Sequence, residues 1–175
     1  MVVILGKVNL LFLMLLLTSS CADFRIIELP SEEYVFSKHY DYFFIKALYL
    51  QKVGNETLHI ALVLHESKMN KNAVCNNGKR GKDYGYYQLN SRAFRHTPIW
   101  KLKNPMTNIE IGSRHLNKCL QFANGDYETA LNYYHLGKNS VDNMGFWNEN
   151  YVKSILHYKN IIDKKYQDEL KYYKG

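Results

Sequence analysis

The chain has 175 residues, 46% of them hydrophobic and 14% aromatic, which is enough apolar material for one domain with a real core plus short extensions. Its formal net charge is +7, a balance that suits solubility or an anionic partner. The basic residues are scattered lysines, with no Arg-rich helix, zinc-finger spacing or ribonucleoprotein motif, so no nucleic-acid partner is expected.

The front end opens with Lys7, then an apolar run over residues 10–17, then Thr18, Ser19, Ser20, Cys21 and Ala22. A basic start, a short apolar core and small residues before a break read as an export signal over residues 1–21. The run is too short for a comfortable membrane span. Cys21 behind small residues reads as a lipoprotein-type cleavage site, with membrane anchoring through that cysteine. Ordinary cleavage after Ala22 and a retained signal anchor are the alternatives. Residues 22–37 mix polar and apolar side chains around Pro30 and read as a tether. The folded domain is expected over residues 38–165, with a charged, solvated tail over residues 166–175.

From about Glu32, the residues Tyr34, Phe36, Tyr40, Phe43, Phe44, Ala47, Leu48 and Leu50 form a broad apolar face and predict a helix that Gly54-Asn55 ends. Thr57 is placed to cap the next helix. That helix runs through Leu58, Ile60, Ala61, Leu62, Val63 and Leu64 with little polar relief, and a helix apolar nearly all round is a buried one. It ends at His65-Glu66-Ser67. Glu66 therefore stands where a buried helix meets a loop. Burial disfavours a carboxylate, and the negative end of the helix dipole pushes the same way. A Glu held protonated near neutral pH is what a general acid needs. Position alone equally describes a solvated Glu at a helix end.

Residues 70–84 are dense in Asn, Gly and Lys and show no period, so they read as a loop, and long loops inside compact domains are usually functional. Residues 86–94 predict a short helix starting at Gln88 or Asn90. Thr97-Pro98 and Asn104-Pro105 are breakers on either side of Trp100. Pro105 opens a helix through Ile109, Gly112, Leu116, Cys119, Leu120 and Phe122 that stops near Asn124-Gly125. Asn108 can satisfy free backbone groups near its start, and Gly112 lets another helix approach closely. Asp126 can cap a helix over residues 127–134, with Ala130, Leu131 and Tyr134 on one face. Residues 141–148 read as a loop around Gly145. Tyr151-Val152 then open a final helix carrying Ile155, Leu156, Tyr158, Ile161 and Ile162.

Four groups of residues recur in a telling order: Glu66-Ser67; Asp83-Tyr84-Gly85-x-x-Gln88-x-Asn90; Asn108-Ile109-x-x-Gly112 with Leu116; and Tyr134-His135-Leu136-Gly137 ahead of the Tyr151-Val152 helix. Together they resemble the catalytic domain of the soluble lytic transglycosylases, a goose-lysozyme-like fold, over about two-thirds of the chain. The Asp-Tyr-Gly form resembles the specialised members of secretion and envelope-assembly systems. The resemblance implies a mainly α, single lysozyme-like helical domain with a substrate cleft. It implies peptidoglycan glycan strands as substrate, an exported chain in the periplasm or cell envelope, and secretion or envelope machinery as a further partner.

The resemblance also implies residue roles. Glu66 would be the catalytic acid, in a reaction that breaks the MurNAc-GlcNAc β-1,4 bond and leaves a 1,6-anhydro-MurNAc end. Ser67, Gln88, Tyr134, Tyr87 and His135 would bind substrate, with the Tyr134 hydroxyl beside the acid. His135 stands where the family has Asn, and Leu136 where it has Ala, so the sugar contacts there depart from the family's. Tyr86 or Tyr87 would offer a ring face to a sugar, or else pack the loop. Asp83 is either a turn residue bonding its own backbone or a second carboxylate, which would make the chain a goose-type muramidase. A catalytically weak peptidoglycan-binding scaffold is the remaining alternative. No cofactor is expected and no metal, since His65-Glu66 opens like H-E-x-x-H but position 69 is Met. Cys75 and Cys119 either bridge or remain thiols.

Overall fold

The computed structural model describes residues 41–172, with side chains from Asp41 to residue 164 except that of Tyr42. The readings of residues 1–21 as a signal, of Cys21 as an anchor and of residues 22–37 as a tether fall outside the described residues. Helix α1 (Tyr42–Gln51) begins at Asp41, whose carboxylate accepts the Phe43 and Phe44 N–H groups at 3.0 and 3.4 Å. The part of the expected helix before Asp41 lies outside the described residues. Helix α2 (Glu56–Ser67) is the central element, and Leu58 through Leu64 are all buried. Its N-cap is Asn55 in a left-handed conformation, with no side-chain cap bond; Thr57 lies inside the first turn and does not cap it.

The segment read as a loop holds a small antiparallel sheet: β1 (Val74–Asn76), β2 (Lys82–Tyr84) and β3 (Leu89–Asn90). The order is β1-β2-β3, with Cys75 opposite Asp83 and Tyr84 opposite Leu89. The short helix expected over residues 86–94 is absent: residues 85–88 turn and β3 follows. Gly85 has φ +70, and a Cβ there would lie 2.6 Å from the Asn108 amide, so this turn requires glycine.

Helix α3 (Ile99–Lys103) fits between the two breakers. Helix α4 (Pro105–Phe122) follows, capped by Asn104, which accepts the Thr107 N–H at 3.0 Å. Asn108 is fully buried; its amide donates to the carbonyls of Tyr84 and Leu102, each at 2.8 Å, and accepts the Tyr87 N–H at 3.0 Å. It thereby ties the hairpin turn to the helix start. Gly112 faces a ring and not a helix: a Cβ there would meet Tyr87 Cγ at 2.2 Å. Helix α5 (Tyr127–Leu136) is capped by Asp126, which accepts the Thr129 N–H at 2.8 Å. Helix α6 (Lys138–Met144) occupies much of the stretch read as a loop, and Gly145 ends it with φ +66. Helix α7 (Glu149–Tyr172) closes the domain, packs along α2 and carries residues 166–172 of the expected tail in helical backbone. The architecture is mainly α, as a lysozyme-like domain requires, with the sheet as a flap beside the end of α2.

Candidate active site

Helix α2 stops because Lys68 turns left-handed and its N–H returns to the Leu64 carbonyl. That stop leaves Glu66 in the last turn, partly exposed at the floor of a cleft of about 520 Å³. Asp83, Gln88 and Asn90 line the cleft from the sheet side, and His115, Tyr134 and His135 from α4 and α5.

Burial pushes the Glu66 carboxyl up to about 7, and the nearby Asp83 adds to the rise, while a hydrogen bond from Tyr151 and the Lys68 ammonium oppose it. The Tyr151 hydroxyl donates to Glu66 Oε1 at 2.5 Å. Tyr151 is itself buried, and burial with the adjacent Glu66 raises its phenol well above the ordinary range, so it keeps the proton it donates. The arrangement can deliver a proton from a carboxyl whose orientation one phenol sets.

Asp83 on β2 is the second carboxylate of the cleft and is 3% exposed. Two amides hold it: Asn77 Nδ2 donates to Oδ2 at 2.5 Å, and Asn90 Nδ2 donates to Oδ1 at 2.6 Å. Burial raises its carboxyl, while these two amides and Arg80 pull it back down. Its side-chain partners are Asn77, just past β1, and Asn90 of β3, and not its own turn backbone.

The transglycosylase SLT domain profile matches residues 43–154, which include the whole of this cleft. The chain belongs to the transglycosylase SLT family. No curated protein and no solved structure matches it in the corresponding searches. An SLT domain acts on peptidoglycan in the cell envelope, so lytic transglycosylase activity of that general kind follows from membership. No helix among the described residues is long and apolar enough to cross a membrane.

Within this SLT domain the residues singled out from sequence fall into two sets. Glu66, Asp83, Gln88, Tyr134 and His135 all line the cleft. Gln88 sits at φ +46, and its amide donates to the Gly85 carbonyl at 2.8 Å. The Tyr134 hydroxyl does not bond the acid; it donates to the Tyr87 carbonyl at 2.6 Å. Ser67 and Tyr87 are elsewhere. Ser67 is buried, and its hydroxyl turns back to the Val63 carbonyl at 3.1 Å. Tyr87 is fully buried, with its hydroxyl 2.8 Å from His59 Nδ1 and its ring against Phe44 and Gly112. It has no face left for a sugar, and neither has Tyr86, which is fully buried and donates to the Asp41 carboxylate.

Sequence reasoning missed Tyr151 as a site residue, although it noted the Tyr151-Val152 start of the helix. Its contact with Glu66 spans 85 positions, and it is one of 15 tyrosines. It also missed an aromatic wall in the cleft. His115 lies edge-on to Phe94 at 5.5 Å and tilted against Tyr134 at 5.0 Å. Cys119 is a free buried thiol, so the Cys75–Cys119 bridge does not form, whereas Cys75 is disulfide-bonded.

Proposed function

We propose that this chain breaks the MurNAc-GlcNAc β-1,4 bond of peptidoglycan and closes the muramyl product to its 1,6-anhydro form, with Glu66 as the single acid and base. The observation that carries this reading is the Glu66 carboxyl, pushed up to about 7 by burial at the cleft floor and aimed by Tyr151. Glu66 gives its proton to the glycosidic oxygen as the C1–O bond breaks. The resulting carboxylate takes the proton from the muramyl C6 hydroxyl, whose oxygen forms the new bond to C1. The nucleophile is part of the substrate, so proximity does the work that a second protein carboxylate does in ordinary glycosidases. The wall of Phe94, His115 and Tyr134 suits the flat faces of sugar rings. Gln88 suits their amide and hydroxyl groups. A disulfide at Cys75 fits an exported chain in an oxidising compartment.

Hydrolysis is the second reading, favoured by one observation: Asp83 lines the same cleft and interacts electrostatically with Glu66. A carboxylate there can orient water. Against it, both Asp83 oxygens already accept amide hydrogens.

Mass spectrometry of muropeptides released by the wild type and by Glu66→Gln separates the readings. Anhydro-muramyl ends that vanish in Glu66→Gln support the proposal. Reducing ends would assign the hydrolytic reading. Wall binding without any release by the wild type would make the domain a scaffold.

A further inference from the structure

We infer that His135 is a positioning residue for the catalytic acid: its ring and the Asn148 side chain clamp Tyr151 so that the Tyr151 hydroxyl stays on Glu66. The inference rests on the role proposed for Glu66 and gives His135 a task on the protein, in place of direct sugar contact.

The clamp is built from three elements. His135 lies in the last turn of α5, and its ring stacks on Tyr151 with centroids 4.1 Å apart and planes 16° apart. His65 of α2 meets the same ring edge-on, at 4.9 Å and 83°. Asn148 stands just ahead of α7, and its backbone N–H is anchored by Asn132 Oδ1 at 2.8 Å. Its side-chain carbonyl accepts the Tyr151 N–H at 3.1 Å, which leaves Nδ2 to face His135 Nε2 at 3.1 Å. An amide nitrogen only donates, so Nε2 accepts and the ring proton sits on Nδ1. Burial lowers the His135 pKa to about 4, so the ring is neutral at the pH where Glu66 works, as that acceptor role requires. His65 is likewise kept neutral by burial, at about 3, with Nδ1 3.1 Å from Ser154 Oγ.

Tyr151 has one hydroxyl and one carboxylate partner. A phenol ring free to rock about its χ angles would sweep that hydroxyl off Glu66. Two ring contacts and a backbone bond on the same residue remove that freedom. An Asn at position 135 offers only a small amide plane and no ring, so the family's usual residue cannot make this ring-on-ring stack.

The test is the titration of the Glu66 carboxyl carbon by NMR in the full-length protein, with Glu66→Gln identifying the resonance. The groups that act on this carboxyl are Tyr151 from α7, Asp83 from β2, Lys68 beyond α2 and Tyr134 from α5. Tyr151→Phe sets the reference: losing a donor to the charged form raises the Glu66 midpoint, by about half a pH unit or more. His135→Asn and His135→Leu, which both lose the stack, are expected to shift it the same way, and Tyr151→Phe combined with His135→Asn no further than Tyr151→Phe alone. His135→Phe keeps the stack and is expected to titrate like the wild type. On glycan strands, His135→Asn lowers kcat about tenfold with KM little changed.

An unmoved midpoint in both His135→Asn and His135→Leu overturns the inference. So does a shift in His135→Phe as large as that in His135→Asn, or a raised KM at unchanged kcat, which would return His135 to sugar contact. The titration needs no turnover, so a wild type that releases no product would sink the proposed reaction while leaving the clamp to be decided by NMR.

Discussion

The cleft holds two carboxylates in opposite company. Glu66 lies at the end of a helix and receives one phenol. Asp83 lies on a strand and receives two side-chain amides. Burial raises both. Both Asp83 oxygens accept from donors that favour its charged form, whereas Glu66 has one such donor and the adjacent Asp83 raises it further. Glu66, pushed up to about 7, is the carboxyl placed to carry a proton near neutral pH.

The sharpest way to break this comparison is to remove the proton from one side. Glu66→Gln is expected to lower turnover by about a thousandfold or more, since general acid catalysis alone contributes on the order of 10²–10⁴. Muropeptide release with time measures it, and a residual rate within tenfold of the wild type would contradict the assignment. Tyr151→Phe comes next, with about a 10–100-fold loss in kcat from misplacement of the acid. Asp83→Asn sharpens the other side. Replacing the shared acceptor faces Asn77 and Asn90 with an amide, and the expected cost is about 1–3 kcal/mol of stability in denaturant unfolding. Anhydro ends are still expected as the product. A loss of rate equal to that of Glu66→Gln would make Asp83 a catalytic partner.

The comparison also predicts a pH dependence of stability. The Glu66 pKa is raised from 4.5 in the unfolded chain to about 7 in the fold. The folded state thus binds the proton more tightly, and stability falls as pH rises from about 4.5 to about 7. Glu66→Gln removes this penalty, so the variant is expected to be more stable than the wild type at pH 8, by about 2 kcal/mol after allowing for partial solvent screening. Near pH 4 the two are expected to converge. Equal stabilities at pH 8 would mean that the carboxyl is solvated. A further prediction concerns the frame: Gly112→Ala crowds the Tyr87 ring and is expected to cost about 1–3 kcal/mol, read as a lower Tm.

How much of this was legible in the sequence depended on range. Helices α2, α4 and α7 announced themselves through long apolar periods, and Asp126 through its place ahead of α5. The three strands did not, because β1 and β2 have three residues and β3 has two, too few for an alternating pattern to register. Glu66 was legible through the motifs that follow it, since a Glu at a helix end is by itself an ordinary solvated residue. Tyr87 reads from sequence as either a sugar platform or loop packing, and it packs: Asn108 accepts its N–H and its ring lies against Gly112. Tyr151 and His135 depend on three helices meeting, and nothing local to either residue encodes that meeting.

The most direct measurement is kcat/KM on purified glycan strands across pH 5–9. If Glu66 must be protonated to start the reaction, kcat/KM holds on the acid side, reaches half its plateau near pH 7, where burial places the Glu66 carboxyl, and then falls about tenfold per pH unit. A rate that stays level to pH 9, or one already lost above pH 5, would contradict a buried, neutral Glu66 as the proton donor.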